Sequence, residues 1–496
     1  MASDTRAPCY HFTAPEGDCR PFDPNGAIFW RGRYHLFYIY QDPGLPHDGH
    51  CWGHASSPNL VDWTIHPPAL KPAEGDPEVG IFSGGALLDR EGRPALIYHG
   101  VGAGTCLAVP GDDDLIRWRK SPHNPVIPEP GEGDPGWGVY NVFDPHAWLE
   151  GDRYYAILGG MVKPDDRWDT AYLFTSSDLV HWEYLRPFYR PDPRWTGEEE
   201  DCACPDFFPL GDRHALLCIS HPRGARCYLG RYRNGTFFPE EHHRMNWPGG
   251  ACFAPESLVD DRGRRIFWTW ALDHRSREKP LRGLGVMTLP RVLSLDRDGS
   301  LRIEPAAELE GLRRRRGQWR NFELAPGREL SFDELRGDSL ELGLEASLAE
   351  AGALGLKVCC SPGGEEQTVI LCDRREGSLL IDTTRSSLDP RVWRPFPIMR
   401  RDVESRDVPV QTAPFELRPG ERLTLRVFLD GTILEVFANG RQCLTQRLYP
   451  TRGDSLGVSL VATRGESKVH TFTAWQMEGI RTLENRVLDN LLEEIR

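Results

Sequence analysis

A chain of 496 residues, 39% hydrophobic and 27% charged, exceeds one ordinary core, so two domains are expected. Acidic residues outnumber basic ones 73 to 59, and the net charge of −14 argues against nucleic acid or an anionic membrane as the main partner. Fifty glycines and 41 prolines favour many short strands joined by tight turns over long helices.

The segment 1–8 lacks the apolar core of a secretion signal, and no apolar run approaches the ~20 residues of a membrane helix. Thirteen cysteines include no zinc-like pair of Cys-x-x-Cys motifs. Cys202 and Cys204, and the adjacent Cys359 and Cys360, are badly spaced for simple disulfides. A reducing, cytoplasmic setting without metal or cofactor is the expectation.

The first three hundred residues repeat. A glycine, a charged residue and a strand-like run recur at 32–38, 92–98, 151–158, 211–217 and 263–270, with spacings of 60, 59, 60 and 52 residues. A short strand precedes every one, at 27–30, 86–88, 147–149, 206–210 and 257–259. Strand, glycine turn, strand is the form of a β-hairpin. Three copies continue into a turn ending in tryptophan, at Trp63, Trp118 and Trp182. Five copies predict a five-bladed β-propeller over residues 1–300, with a solenoid of stacked hairpins as the alternative. A propeller brings the starts of its innermost strands to one end of a central channel. Those starts read Phe22-Asp23-Pro24-Asn25-Gly26, Phe82-Ser83-Gly84, Phe143-Asp144-Pro145, Ala203-Cys204-Pro205-Asp206 and Phe253-Ala254-Pro255-Glu256. Four carry a carboxylate beside a proline. Opposed carboxylates in a cleft are what glycosidic cleavage requires.

A polar, arginine-rich linker is expected over 301–320, with 313–316 as a solvated face. Alternating runs such as 423–429 and 456–462, and the Asp430-Gly431 turn signal, predict a β-sandwich over 321–480. Glu435 is expected in a salt bridge at the edge of its core, with a partner subunit's cleft as the alternative. Leu483, Val487, Leu488, Leu491, Leu492 and Ile495 recur at helical spacing, so 481–496 is read as a short amphipathic helix. That helix or the sandwich would carry any homo-oligomer contact.

Several segments together resemble glycoside hydrolase family 32, the invertases, inulinases and levanases. They are Tyr10-His11-Phe12, Asp23-Pro24-Asn25-Gly26, Tyr38-Ile39-Tyr40-Gln41, Trp52-Gly53-His54, Phe82-Ser83-Gly84, Asp144-Pro145, Cys204-Pro205-Asp206 and 434–440. They stand in the family's order across nearly the whole chain. The resemblance implies an all-β propeller and sandwich. It also implies a retaining enzyme acting on β-fructofuranosyl linkages of sucrose, fructo-oligosaccharides or fructans. It casts Asp23 as nucleophile and Asp144 as stabiliser, with Asn25, Gln41, Trp52, Phe82, Ser83, Phe143 and Asp206 around the sugar.

Three departures fall at the centre of that site. Phe22 replaces the family's Asn, Phe143 replaces the Arg of Arg-Asp-Pro, and Ala203 replaces the Glu that serves as acid and base. Asp201, two residues upstream and on the same face if the segment is a strand, is one substitute acid. Glu256 is the other, and Glu200 points the wrong way. His221 and the His242-His243 pair are further proton donors to consider near neutral pH. A sugar-binding protein without catalysis, or a propeller glycosidase with another sugar preference, are the alternatives.

Overall fold

The computed structural model describes residues 6–46, 49–273, 284–400 and 403–484. It divides into two compact units. One contains Ala14–Arg244, Phe253–Trp270 and Arg481–Arg496; the other contains Met1–Thr13, Met245–Cys252 and Ala271–Ile480. Both are built almost entirely of strands, as the turn-rich composition predicts. Among the described residues no helix is long and apolar enough to cross a membrane, and all thirteen cysteines are free thiols.

The first unit is a succession of antiparallel sheets. Pro24–Trp30, Arg33–Gln41, His50–Ser57 and Asp62–Leu70 pair in chain order. Ile81–Leu88, Pro94–Gly100 and Gly104–Pro110 form the next sheet, extended by Trp118–Lys120 and Ile127–Pro128. Two regular four-stranded sheets follow, beginning with Pro145–Glu150 and Ala203–Leu210. A fifth repeat supplies Cys252–Val259 and Arg265–Ala271.

The repeat seen in the sequence has a conformational cause. Gly32, Gly92, Gly151, Gly211 and Gly263 all take positive φ, from 62° to 79°, at the turn between the first two strands. The tryptophan turns are also copies of one another. Leu60, Leu115 and Leu179 hold φ of 67°, 60° and 68°. Each is pinned by the indole N–H of Trp63, Trp118 or Trp182 donating to its carbonyl, at 3.1, 2.9 and 2.9 Å. Leucine accepts that backbone because its side chain is buried and its carbonyl is bonded.

The second unit contains two six-stranded sheets. One runs from Arg313–Leu324 through Ser467–Met477, Ser339–Leu348, Leu423–Asp430 and Ile433–Ala438 to Gln442–Arg447. The other includes Gly457–Arg464, Ala353–Cys360 and Thr368–Asp373. Leu340, Leu342 and Leu344 from one sheet share a core with Leu354, Leu356 and Ile370 from the other. This is the sandwich that the alternating runs predict.

Three expectations about boundaries need correction. Residues 301–320 are no irregular linker: Leu301–Pro305 pairs with Arg291–Leu295, and a short 3-10 helix, Ala307–Leu312, leads into a sandwich strand. Arg313, expected on a solvated face, is instead held by both oxygens of buried Glu341 at 2.7 Å and lies 4.2 Å over the Trp475 ring. In the tail, Arg481–Glu484 is a strand parallel to Asp62–Leu70. An open sheet edge satisfies those backbone groups, where helical periodicity alone suggested another partner. Residues 485–496, and the oligomer contact assigned to them, lie outside the described residues.

Candidate active site

Asp23, Ser83, Asp144 and Cys204 recur about sixty residues apart, ahead of or near the start of the first strand of successive repeats. The structure brings all four together. Ser83 Oγ donates to Asp23 Oδ2 at 3.1 Å. The Cys204 thiol lies 3.5 Å from Asp144 Oδ2 and 3.9 Å from Asp23 Oδ2, while its amide donates to Asp144 Oδ2 at 2.9 Å. The backbone fixes both carboxylates in the same way: Ile39 N–H donates to the Asp23 carbonyl and Gly159 N–H to that of Asp144, each at 3.1 Å. Register shifts after Asn25, Ile81 and Ala203 are bulges, which re-aim side chains at strand starts. Cys204 sits at such a bulge with φ of 46°, and that is how its amide reaches Asp144.

Both carboxyls are buried, with Asp23 7% and Asp144 3% exposed. Burial, and then the negative charge of Asp144, push Asp23 up to about 7; Ser83, His221 and Cys204 act the other way. Burial also raises Asp144, against His99, the Cys204 amide and His221. Asp23 Oδ1 is buried and receives no hydrogen bond among the described residues. An acidic pair with one oxygen left free is suited to attack on an electrophilic carbon.

The remaining predicted residues divide into three groups. Asn25 is part of the frame: its Nδ2 donates to the Asp23 carbonyl at 2.8 Å and its Oδ1 accepts from Gly84 N–H at 3.0 Å. Trp52 is wholly buried, with its indole N–H donating to the Phe82 carbonyl at 3.0 Å. A Cβ on Gly26 (φ 52°) would come within 3.1 Å of that ring, so Trp52 packs beneath the site. Gln41 Oε1 accepts from Arg20 N–H at 2.6 Å, and its Nε2 is buried without a hydrogen bond. Phe82 packs edge-on to His50 at 4.7 Å, and Phe143 lies 5.2 Å from His99 and 6.4 Å from His221.

Glu256 and Asp206 form a second cluster. Glu256 Oε1 accepts from Ala27 N–H at 3.0 Å, four residues along the first strand from Asp23. Asp206 accepts from Ser257 Oγ and faces His146 Nδ1 at 3.5 Å. Burial, and then the charge of Asp206, raise Glu256 well above the usual carboxylate range.

Asp201 differs from its expected role. The strand begins at Ala203, so Asp201 lies in the preceding segment, and both its oxygens are taken by His221. Burial favours its protonation, but the His221 charge and hydrogen bonds outweigh that and hold it below the usual range. A carboxylate so stabilised is a poor proton donor. His242 stacks on Trp195 at 6.1 Å and His243 pairs with Glu241 at 3.0 Å. Cys204 was not anticipated as a site residue: in strand register it is Ala203, opposite Ile219, that matches Asp23 opposite Ile39 and Asp144 opposite Gly159, and Cys204 reaches the carboxylates from the bulge that follows.

Among the described residues no group of three or more His, Cys, Asp or Glu is arranged to hold a metal ion. Paired buried carboxyls at the starts of repeated strands are the equipment of a glycoside hydrolase. Residues 11–305 match the model of the glycosyl hydrolases family 32 N-terminal domain and residues 308–476 that of its C-terminal domain. The chain therefore belongs to glycoside hydrolase family 32, and it is a glycosidase. Sucrose-6-phosphate hydrolase of Escherichia coli is 30% identical over 96% of this chain and 95% of its own. Fructan 6-exohydrolase of Beta vulgaris is 27% identical over 95% of this chain and 86% of its own. The crystal structure of fructan 1-exohydrolase IIa from Cichorium intybus has the same fold, with a TM-score of 0.82 at 24% identity over 98% of this chain and 99% of that one.

Proposed function

We propose that this enzyme cleaves terminal β-fructofuranosyl units from sucrose or fructans by a retaining double displacement, within a propeller of five blades that ends near residue 300. The observation that carries the reading is the buried Asp23–Asp144 pair, with Asp23 Oδ1 receiving no hydrogen bond among the described residues. Asp23 attacks C2 of the fructosyl unit and forms a covalent ester. Asp144 accepts hydrogen bonds from sugar hydroxyls, with Ser83, Gln41, Phe82 and Phe143 around the ring. The curated relatives, which include an invertase, a sucrose-6-phosphate hydrolase and a fructan exohydrolase, support this substrate class.

Fructose release from sucrose, inulin and levan, followed by mass spectrometry of the trapped enzyme, tests it. A fructosyl adduct on Asp23 is the expected result. Ala203 favours a second reading, a sugar-binding protein without turnover, because alanine cannot carry a proton. Binding of sucrose without release of fructose from any fructoside would establish that second reading and overturn the first.

A further inference from the structure

The resemblance to glycoside hydrolase family 32 implies an acid and base glutamate at the position of Ala203, so the proton for the leaving oxygen has to come from elsewhere. We propose that His221, oriented by Asp201, is the acid and base of this enzyme. The inference rests on the fructosyl-transfer reading above.

His221 lies in the tight turn between Arg213–Ser220 and Gly224–Arg233, where Ser220 pairs with Gly224. The same sheet pairs Ala203 with Ile219, so the turn rises beside the position that lacks the glutamate. Asp201 grips the histidine twice: Oδ1 accepts from its backbone N–H at 2.9 Å, and Oδ2 lies 2.6 Å from Nδ1. That second contact fixes the tautomer and leaves Nε2 as the functional nitrogen. No hydrogen bond to Nε2 is made among the described residues. The rings of Phe143 and Phe253 flank the imidazole at 6.4 and 6.1 Å, while 38% of the side chain stays accessible.

Asp201 is itself anchored, since Arg226 donates to its carbonyl and also binds Glu200 at 2.8 Å. An acid held this way has a rigid support and an open face, which proton transfer to a bound ligand needs. The other two candidates lack one of these. Glu256 is tied to Ala27 N–H beside Asp206, and both Asp201 oxygens are occupied.

The charged groups facing His221 are Asp201, Asp144 and Asp23. Burial opposes its charge, but these three carboxylates prevail and raise it to about 9. It is therefore protonated when the first step begins. In that step Asp23 bonds to C2 of the fructosyl unit and the C2–O bond to the leaving group breaks. The electron pair stays on the departing oxygen, which takes the Nε2 proton. In the second step neutral His221 removes a proton from water as the water oxygen bonds to C2. The ester bond to Asp23 breaks, returning its electron pair to the carboxylate and the proton to His221.

The test compares wild type, His221→Gln, Asp201→Asn and Glu256→Gln on sucrose and on 4-nitrophenyl β-fructofuranoside, whose leaving group needs no proton. Circular dichroism and calorimetric sucrose binding check that each variant is folded. His221→Gln is expected to lose about 10²–10⁴-fold on sucrose. On the nitrophenyl substrate it should retain the rapid first burst and then stall as a fructosyl-enzyme that added azide releases. Asp201→Asn is expected to move the alkaline limb of kcat/KM below the wild-type position near pH 9. Equal losses on both substrates, or no loss on either, would overturn the assignment. So would a leaving-group-dependent loss in Glu256→Gln without one in His221→Gln. A wild-type protein inert towards both substrates would overturn the fructosyl-transfer reading itself, and the proposal with it.

Discussion

Glu435 and Asp23 are both buried carboxylates, one in each unit, and they are treated in opposite ways. Glu435 is completely enclosed and fully engaged. Arg291 donates to its Oε2 at 2.8 and 3.1 Å, Leu289 N–H to its Oε1 at 2.7 Å, and His11 Nε2 lies 3.2 Å away. Burial would raise its pKa, but Arg291 and His11 outweigh that and lower it. Among the described residues Asp23 has no arginine or lysine bonded to it, a second carboxyl beside it, and one oxygen without a hydrogen bond. A buried charge surrounded by its counter-charges holds a fold together. One left without them is a store of reactivity.

The comparison can be broken by mutation. Asp23→Ala is expected to reduce fructose release by about 10⁴–10⁶-fold, as loss of a nucleophile does, with little change in the melting temperature. Glu435→Ala should do the reverse. It strands Arg291 and His11 in the interior and is expected to cost about 3–5 kcal/mol in urea denaturation, while the folded fraction keeps its kcat. If Glu435→Ala impaired turnover more than stability, the division between structural and reactive carboxylates would fail.

A smaller effect comes from pH. Because Asp23 is raised to about 7 and must be ionised to attack, kcat/KM is expected to fall about tenfold per unit below that value. An acid limb near pH 4 would mean that Asp23 is better solvated, or better paired, than its surroundings indicate. The smallest effect serves as the control. Arg314 and Glu478 form a surface pair at 2.6 Å with both side chains about half exposed, so Glu478→Gln should change stability by about 0–1 kcal/mol.

The site was legible where repetition made it so. Asp23 and Asp144 stand at matching points of the repeat, opposite Ile39 and Gly159, and a repeated backbone places matching points together. Ser83 and Cys204 come in from the bulges after Ile81 and Ala203, which spacing alone does not reveal. Asp201 was misread because the face of a residue depends on where its strand begins, and the bulge at Cys204 alters that register. At the start of the tail Arg481–Glu484 meets an open edge at Asp62–Leu70, a pairing that the helical periodicity of 483–495 does not announce. Arg313 resembled linker surface because its partner Glu341 is 28 residues away in the chain.

By itself the sequence determined an all-β chain, the turn glycines, the order of the repeats and the positions of the paired carboxyls Asp23 and Asp144. Each of these follows from local backbone preference or from a period written into the residues. Only the tertiary structure decided that Asp201 clasps His221, that Glu256 groups with Asp206, and that Trp52 lies beneath the site. Those pairings join residues from separate strands and turns. They depend on bulges, register and burial, which no single stretch of sequence encodes.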